Sequence, residues 1–97
     1  MATSKIQKSK GTEYIVDNVR CTFTLNNESN KEDTFALSKS GYTPIGIAGW
    51  SVVTSATFYL LRCYVSGSTL HAYITDKNSN PYTGTINVDV KILYQAN

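Results

Sequence analysis

The chain has 97 residues, a formal net charge of +2 and only 16% charged side chains. This length holds one domain, and so small a net charge argues against nucleic acid as a partner. No stretch approaches the roughly 20 consecutive apolar residues of a membrane span, so we expect no membrane insertion.

Residues 1–11 have no hydrophobic periodicity and end at Gly11. They predict a flexible N-terminal arm or linker, followed by a single domain over residues 12–97. The first residues are polar and lack the hydrophobic segment of a secretory signal, so we expect synthesis in the cytoplasm.

The first part of the domain shows short apolar segments separated by turn-forming residues. Residues 14–16 predict a short strand, residues 17–18 a turn, and residues 19–25 a half-buried strand, because apolar and polar side chains alternate there. Residues 26–33 predict a polar loop, and residues 35–37 another short strand.

Residues 41–53 predict an apolar strand that carries three glycines and a proline. Glycine inside a strand marks a bulge or the close approach of another backbone. Gly46 and Gly49 therefore predict that this strand lies in a crowded centre of the fold. Pro44 fits the first residue of a strand, where no ladder donor is needed.

Residues 56–65 are the longest strand candidate, and both of its faces are substantially apolar. Such a strand is covered on both sides, whereas a small sandwich buries only one face of each sheet. The second face is therefore expected to be buried by another subunit or exposed as a binding patch. We predict a subunit interface formed by Phe58, Leu60, Arg62 and Tyr64.

The last third of the chain predicts a hairpin turn at residues 66–68, a strand at 69–75, a loop at 76–84 and a strand at 86–94. No helical period of useful length occurs. About seven short strands predict an all-β fold, an antiparallel, jelly-roll-like β-sandwich.

The loop spacing of Asp76, Asn78 and Asn80 is that of the first ligands in a calcium-binding loop. However, Pro81 and Asn87 stand where that motif needs glycine and glutamate. A hairpin loop is the better interpretation, and we predict neither a metal nor another cofactor.

The chain has two cysteines and one histidine. Cys21 and Cys63 follow alternating strand patterns, which favours buried free thiols over a disulfide. His71 could activate Cys63, but no third, orienting group is visible. We therefore predict that the protein has no catalytic residues and is not an enzyme.

Aromatic side chains are concentrated in the middle and later parts of the chain. When exposed, they can stack on sugar rings or anchor a protein partner, although aromatics in strands also form cores and cross-strand pairs. The candidate ligand-binding residues are Trp50, His71, Tyr73, Asn78 and Tyr82.

Four segments occur in a recognisable order. Residues 41–47 read Gly-Tyr-Thr-Pro-Ile-Gly-Ile, and they precede an aromatic strand at 58–64, a Ser-Gly hairpin at 66–68 and an alternating last strand at 86–94. This half of the chain resembles small C-terminal β domains of tail, baseplate or fibre proteins from phages and prophages of gut bacteria. Residues 1–40 take no part in the resemblance.

The resemblance implies a virion protein that forms a homo-oligomer, commonly a trimer, and contacts other virion proteins. We therefore expect a structural or receptor-binding domain that contributes to host attachment, with bacterial surface carbohydrate as its ligand. The alternative is an architectural decoration or assembly protein that has no ligand.

Overall fold

The computed structural model describes residues 13–54 and 57–97. Within those ranges the chain forms six β-strands and no helix, and hence no helix suited to crossing a membrane. The predicted arm at residues 1–11 lies outside the described residues. The strands are β1 (Tyr14–Glu28), β2 (Asn30–Ala36), β3 (Tyr42–Val52), β4 (Phe58–Ser66), β5 (Thr69–Asp76) and β6 (Tyr82–Ala96).

The strands form two antiparallel sheets of three strands each. The first sheet has the order β1–β6–β3 and the second the order β2–β5–β4. The connections β1–β2, β2–β3, β3–β4 and β5–β6 pass between sheets, and only β4–β5 is a hairpin within one sheet. This nested pairing is jelly-roll-like, with fewer strands than the usual eight. The predicted antiparallel β-sandwich is confirmed.

The strand count is six rather than seven because β1 is continuous. Asp17 lies opposite Ile92 and Asn18 opposite Lys91, so pairing with β6 continues through the predicted turn. Both β1 and β6 have 15 residues. At about 3.4 Å per residue, they span the 51 Å length of the molecule.

The predicted polar loop at residues 26–33 is also mostly strand. Only Ser29 separates β1 from β2, and Asn30 already pairs with Thr75 of β5. Because β2 is an edge strand with mostly exposed side chains, its polar residues can pair without being buried. Turn-forming composition therefore concealed this strand.

The core lies between the sheets and is built from alternate residues of four strands, β1, β4, β5 and β6, and from the segment after β2. Phe23 of β1 packs edge-to-face on Phe35 of β2, with ring centroids 5.4 Å apart. The buried apolar side chains are Cys21, Phe23, Leu25, Leu37, Phe58, Leu60, Leu70, Ala72, Ile74, Ile86, Val88, Val90, Ile92 and Tyr94.

The predicted crowded position of β3 is wrong, because β3 is an edge strand. A Cβ atom added at Gly46 or Gly49 would meet no atom within 4 Å. The pairing with β6 shifts register just before each glycine, so both glycines accompany bulges. Pro44 is the third residue of the strand rather than the first, which an edge strand permits.

The prediction that Phe58, Leu60, Arg62 and Tyr64 share one face is wrong. The pairing of β4 with β5 shifts register between Leu60 and Arg62, which leaves Leu61 as an extra, exposed residue. Phe58 and Leu60 consequently point into the core, whereas Arg62 and Tyr64 point outward. The two buried residues are therefore unavailable for a subunit contact.

The cysteines are not bridged, as predicted: Cys21 and Cys63 are both free. Cys21 is fully buried, and burial raises the pKa of its thiol to about 12. The thiol therefore stays protonated at neutral pH and acts as a small apolar side chain.

Candidate functional site

The outer surface of the second sheet carries a ladder of exposed and half-buried polar and aromatic side chains. Along β5 the even-numbered residues are buried, so His71, Tyr73 and Thr75 face away from the core. The register places one β2 and one β4 residue beside each of them. The three resulting rows are Thr34–His71–Tyr64, Glu32–Tyr73–Arg62 and Asn30–Thr75–Tyr59. We call this surface the aromatic face.

The first row contains a pair of stacked rings. Tyr64 and His71 lie on neighbouring strands with their ring centroids 4.6 Å apart and their planes at 3°. Tyr64 remains 46% exposed, so the outer edge of the stack is open to solvent. Each ring fixes the orientation of the other, as is typical of cross-strand aromatic pairs.

The second row combines a cation, a ring and an anion. The Arg62 guanidinium carbon lies 4.8 Å from the centroid of the Tyr73 ring. Its Nη2 atom is 3.7 Å from Oε2 of Glu32, and about half of each charged side chain is exposed. That separation is too long for a hydrogen bond. Arg62 therefore keeps free donors and Glu32 free acceptors.

The aromatic face is an open sheet surface. Within residues 13–54 and 57–97 no concave pocket is found. From ordinary strand and row spacings, the three rows cover about 14 Å by about 20 Å. Small molecules usually need a concavity that encloses most of their surface. This face instead suits an extended ligand that makes several contacts.

On the outer surface of the first sheet, by contrast, the central polar side chains are paired with one another. Arg20 Nε and Nη2 donate to the two carboxylate oxygens of Asp89, at 2.5 and 3.2 Å. The Arg20 guanidinium thereby lowers the pKa of Asp89. The Thr22 hydroxyl donates to Asn87 Oδ1 at 2.9 Å. These polar groups satisfy one another, so the middle of this surface offers less to a ligand.

The structure brings together residues for which the sequence predicted different roles. His71 and Tyr73, predicted to bind a ligand, contact Tyr64 and Arg62, predicted to form a subunit interface. All four belong to the aromatic face. They therefore form one surface, and we treat them as one candidate site.

The other three predicted ligand-binding residues lie elsewhere. Trp50 is in β3 opposite Val90 of the first sheet and is 47% exposed. Tyr82 packs edge-to-face on Phe58, with ring centroids 5.7 Å apart. Asn78 is exposed in the β5–β6 loop. The structure does not gather these residues into the candidate site.

Asp76 organises the β5–β6 loop. Its Oδ2 atom accepts the backbone N–H groups of Asn78 at 2.9 Å and Asn80 at 2.8 Å, and its Oδ1 atom accepts the Thr57 hydroxyl. The bond from Thr57, together with the backbone bonds, lowers the pKa of Asp76. The loop spacing that resembled a calcium motif thus holds a carboxylate that caps its own loop. The prediction of a hairpin here is wrong, because the loop connects the two sheets.

The structure also bears on catalysis by Cys63 with His71 and on metal binding. His71 belongs to the outer surface of the second sheet, whereas Cys63 lies opposite Ala72 and faces inward. The sheet separates the two side chains. The part of the chain that the structure describes holds no group of three His, Cys, Asp or Glu side chains that could bind a metal ion.

Sequence reasoning missed the β2 contribution to the site. Asn30, Glu32 and Thr34 alternate with residues on the core side, which is a strand pattern. That pattern was hidden because the surrounding residues favour turns. Tyr59 was missed because the bulge in β4 exchanges the two faces of the strand.

No family model, curated protein sequence or solved structure matches the chain. The resemblance of the second half to phage virion β domains therefore stays a prediction, and the candidate site is assigned on geometry alone.

Proposed function

We propose that this chain is a non-enzymatic phage virion domain that contributes to host attachment by binding surface carbohydrate on the aromatic face. The observation that carries the proposal is the clustering of Arg62, Tyr64, His71 and Tyr73 on one exposed surface. The sequence resemblance supplies the virion setting.

Carbohydrate suits this face because a sugar ring has an apolar C–H surface and a rim of hydroxyl groups. Tyr64, which is 46% exposed, provides apolar ring surface with a polar tip, whereas the Tyr73 ring lies beneath the Arg62 guanidinium. Arg62 and Glu32 lie beside them with unused donors and acceptors. Both properties of a sugar are therefore matched within two adjacent rows.

A small, open site binds one ligand weakly, but a virion presents many copies. Linked copies raise the overall avidity by orders of magnitude without any new contact. We propose that the chain is a homo-oligomer, a trimer by the family resemblance. Such an assembly would present several aromatic faces to one cell surface.

Binding to whole cells tests this function. We expect the labelled full chain to bind cells from a panel of gut bacteria, and purified surface polysaccharide from the bound strain to compete. Tyr73→Ala and Arg62→Ala should each weaken binding by at least about tenfold, because buried Tyr and Arg contacts carry most interface energy.

Thr22→Ala is the matched control, because Thr22 lies on the outer surface of the opposite sheet. It should bind as the unchanged chain does. Equal binding by all variants would contradict the proposal, and so would binding that polysaccharide does not compete.

An architectural role is the second candidate. It is favoured by exposed apolar side chains at the end of the first sheet where β1 and β3 begin. Tyr14 and Val16 of β1 are 51% and 53% exposed, and Ile45 of β3 is 45% exposed. Apolar groups in this position suit contact with a neighbouring protein. Binding to other virion proteins but to no cells would support this role over attachment.

A further inference from the structure

We infer that the saccharide held by the aromatic face is an uncharged chain, bound by neighbouring hydroxyl groups that bridge Arg62 and Glu32. This inference rests on the proposed function and narrows its ligand class.

The charges of the face are balanced. Its rows contain one guanidinium, from Arg62, and one carboxylate, from Glu32, and they lie 3.7 Å apart. The neighbouring charged residues of β2, Lys31 and Asp33, are opposite Ile74 and Ala72 and therefore belong to the other side of the sheet. The face consequently has no excess of either charge with which to select a charged ligand.

An acidic sugar would gain little here. Its carboxylate would be attracted by Arg62 and repelled by Glu32 at nearly the same distance, because the two groups are adjacent. The carboxylate of the sugar would also have to lose its bound water. A cationic ligand would likewise be attracted by Glu32 and repelled by Arg62 at nearly the same distance.

Hydroxyl groups match the pair better. The Arg62 guanidinium can only donate hydrogen bonds, and the ionised Glu32 carboxylate can only accept them. A hydroxyl group does both, so two neighbouring hydroxyls can accept from Arg62 and donate to Glu32. The 3.7 Å gap leaves both groups able to form these bonds.

The dimensions favour a chain over a second copy of the protein. The three rows contain nine residues, whereas a stable protein interface uses about 20 to 30 residues on each partner. The successive rows lie about 6.7 Å apart. The Arg62–Glu32 pair and the Tyr64–His71 stack can therefore contact successive sugar units.

A polysaccharide array tests the inference. The full chain, immobilised at high density on labelled beads, is applied to uncharged dextran, mannan and galactan, to acidic alginate, polygalacturonate and hyaluronan, and to gut-bacterial surface polysaccharides of known composition. We expect the strongest binding to uncharged members, at least about tenfold above acidic ones. Signal should change little between low and high salt, because net charge does not drive binding.

The variant Glu32→Gln tests most directly whether charge balance sets the preference for uncharged polysaccharides. It removes the negative charge from an exposed side chain and leaves Arg62 unbalanced. The ratio of uncharged to acidic binding should fall by about tenfold. Asp33→Asn removes the same charge from the adjacent position on the other side of the sheet, and it should leave the ratio unchanged.

The outcomes separate this inference from the proposed function. A preference for acidic polysaccharides, with signal that falls as salt rises, would overturn the inference and leave carbohydrate attachment standing. A ratio unaffected by Glu32→Gln would also overturn it. Binding to no polysaccharide on the array or on cells would overturn both.

Discussion

Replacing Asp76 with asparagine is expected to lower the Tm by about 5 to 15 °C at pH 7. The Asp76 side chain is only 5% exposed, and its two oxygens accept three hydrogen bonds. An asparagine amide keeps one acceptor oxygen but places an N–H₂ group against donors. The β5–β6 loop would then lose its organising contact.

The decrease in Tm caused by Asp76→Asn should depend on pH. The folded structure lowers the pKa of Asp76, so its contribution to stability is present above the unfolded pKa of about 3.9 and is lost as the pH falls through the folded value. The Tm difference between the unchanged chain and Asp76→Asn should therefore be largest at neutral pH. It should narrow as the pH falls below about 4.

Thermal unfolding followed by circular dichroism from pH 7 to pH 2 measures this difference. Asp33→Asn removes a charge from an exposed side chain and should change the Tm by less than about 3 °C. A Tm gap for Asp76→Asn that stays constant with pH would show that the carboxylate charge is not what stabilises the loop.

Glycine-to-alanine substitutions are expected to have opposite effects at different positions. Gly84→Ala should lower the free energy of unfolding by about 1 to 3 kcal/mol. Gly84 has a φ of +144°, and an added Cβ would lie 3.0 Å from the Tyr82 ring. By contrast, Gly46→Ala and Gly49→Ala should each raise stability by up to about 1 kcal/mol, because they remove unfolded-chain freedom without a clash.

Urea unfolding measures all three variants, with the midpoint compared at unchanged slope. Gly46→Ala and Gly49→Ala serve as controls for the chemistry of the Gly84 change. If either destabilised the chain as much as Gly84→Ala, β3 would not have the open surroundings described above.

The alternation of apolar residues was sufficient to predict the fold class and much of the core. Ile86, Val88, Val90 and Ile92 alternate with polar residues, and the structure buries all four. The Gly67 turn was equally visible, since its φ of +61° is one that glycine adopts readily. These features depend on neighbours in sequence.

Features that depend on distant partners were not predictable. Asp17 and Asn18 have a local turn preference, but pairing with β6 keeps them in β1. The edge position of β3 and the strand character of Asn30 likewise depend on which strands become neighbours. Long-range pairing outweighed local preference in each case.

The candidate site was predicted only in part, for the same reason. His71 and Tyr73 were recognised from their polar side of an alternating strand. Their contacts with Tyr64 and Arg62 require the bulge after Leu60, which reverses the orientation of the rest of β4. A one-residue register shift moves every later side chain to the other face.

Mapping of backbone amide shifts tests the central claim, that the aromatic face binds the ligand, most directly. The ¹⁵N-labelled full chain would be titrated with fragments of the surface polysaccharide that competes for cell binding. The account predicts the largest shifts at residues 62–64 and 71–73, with residues 18–22 of the opposite sheet unchanged. Shifts centred on Trp50, or on Tyr14 and Val16, would contradict it.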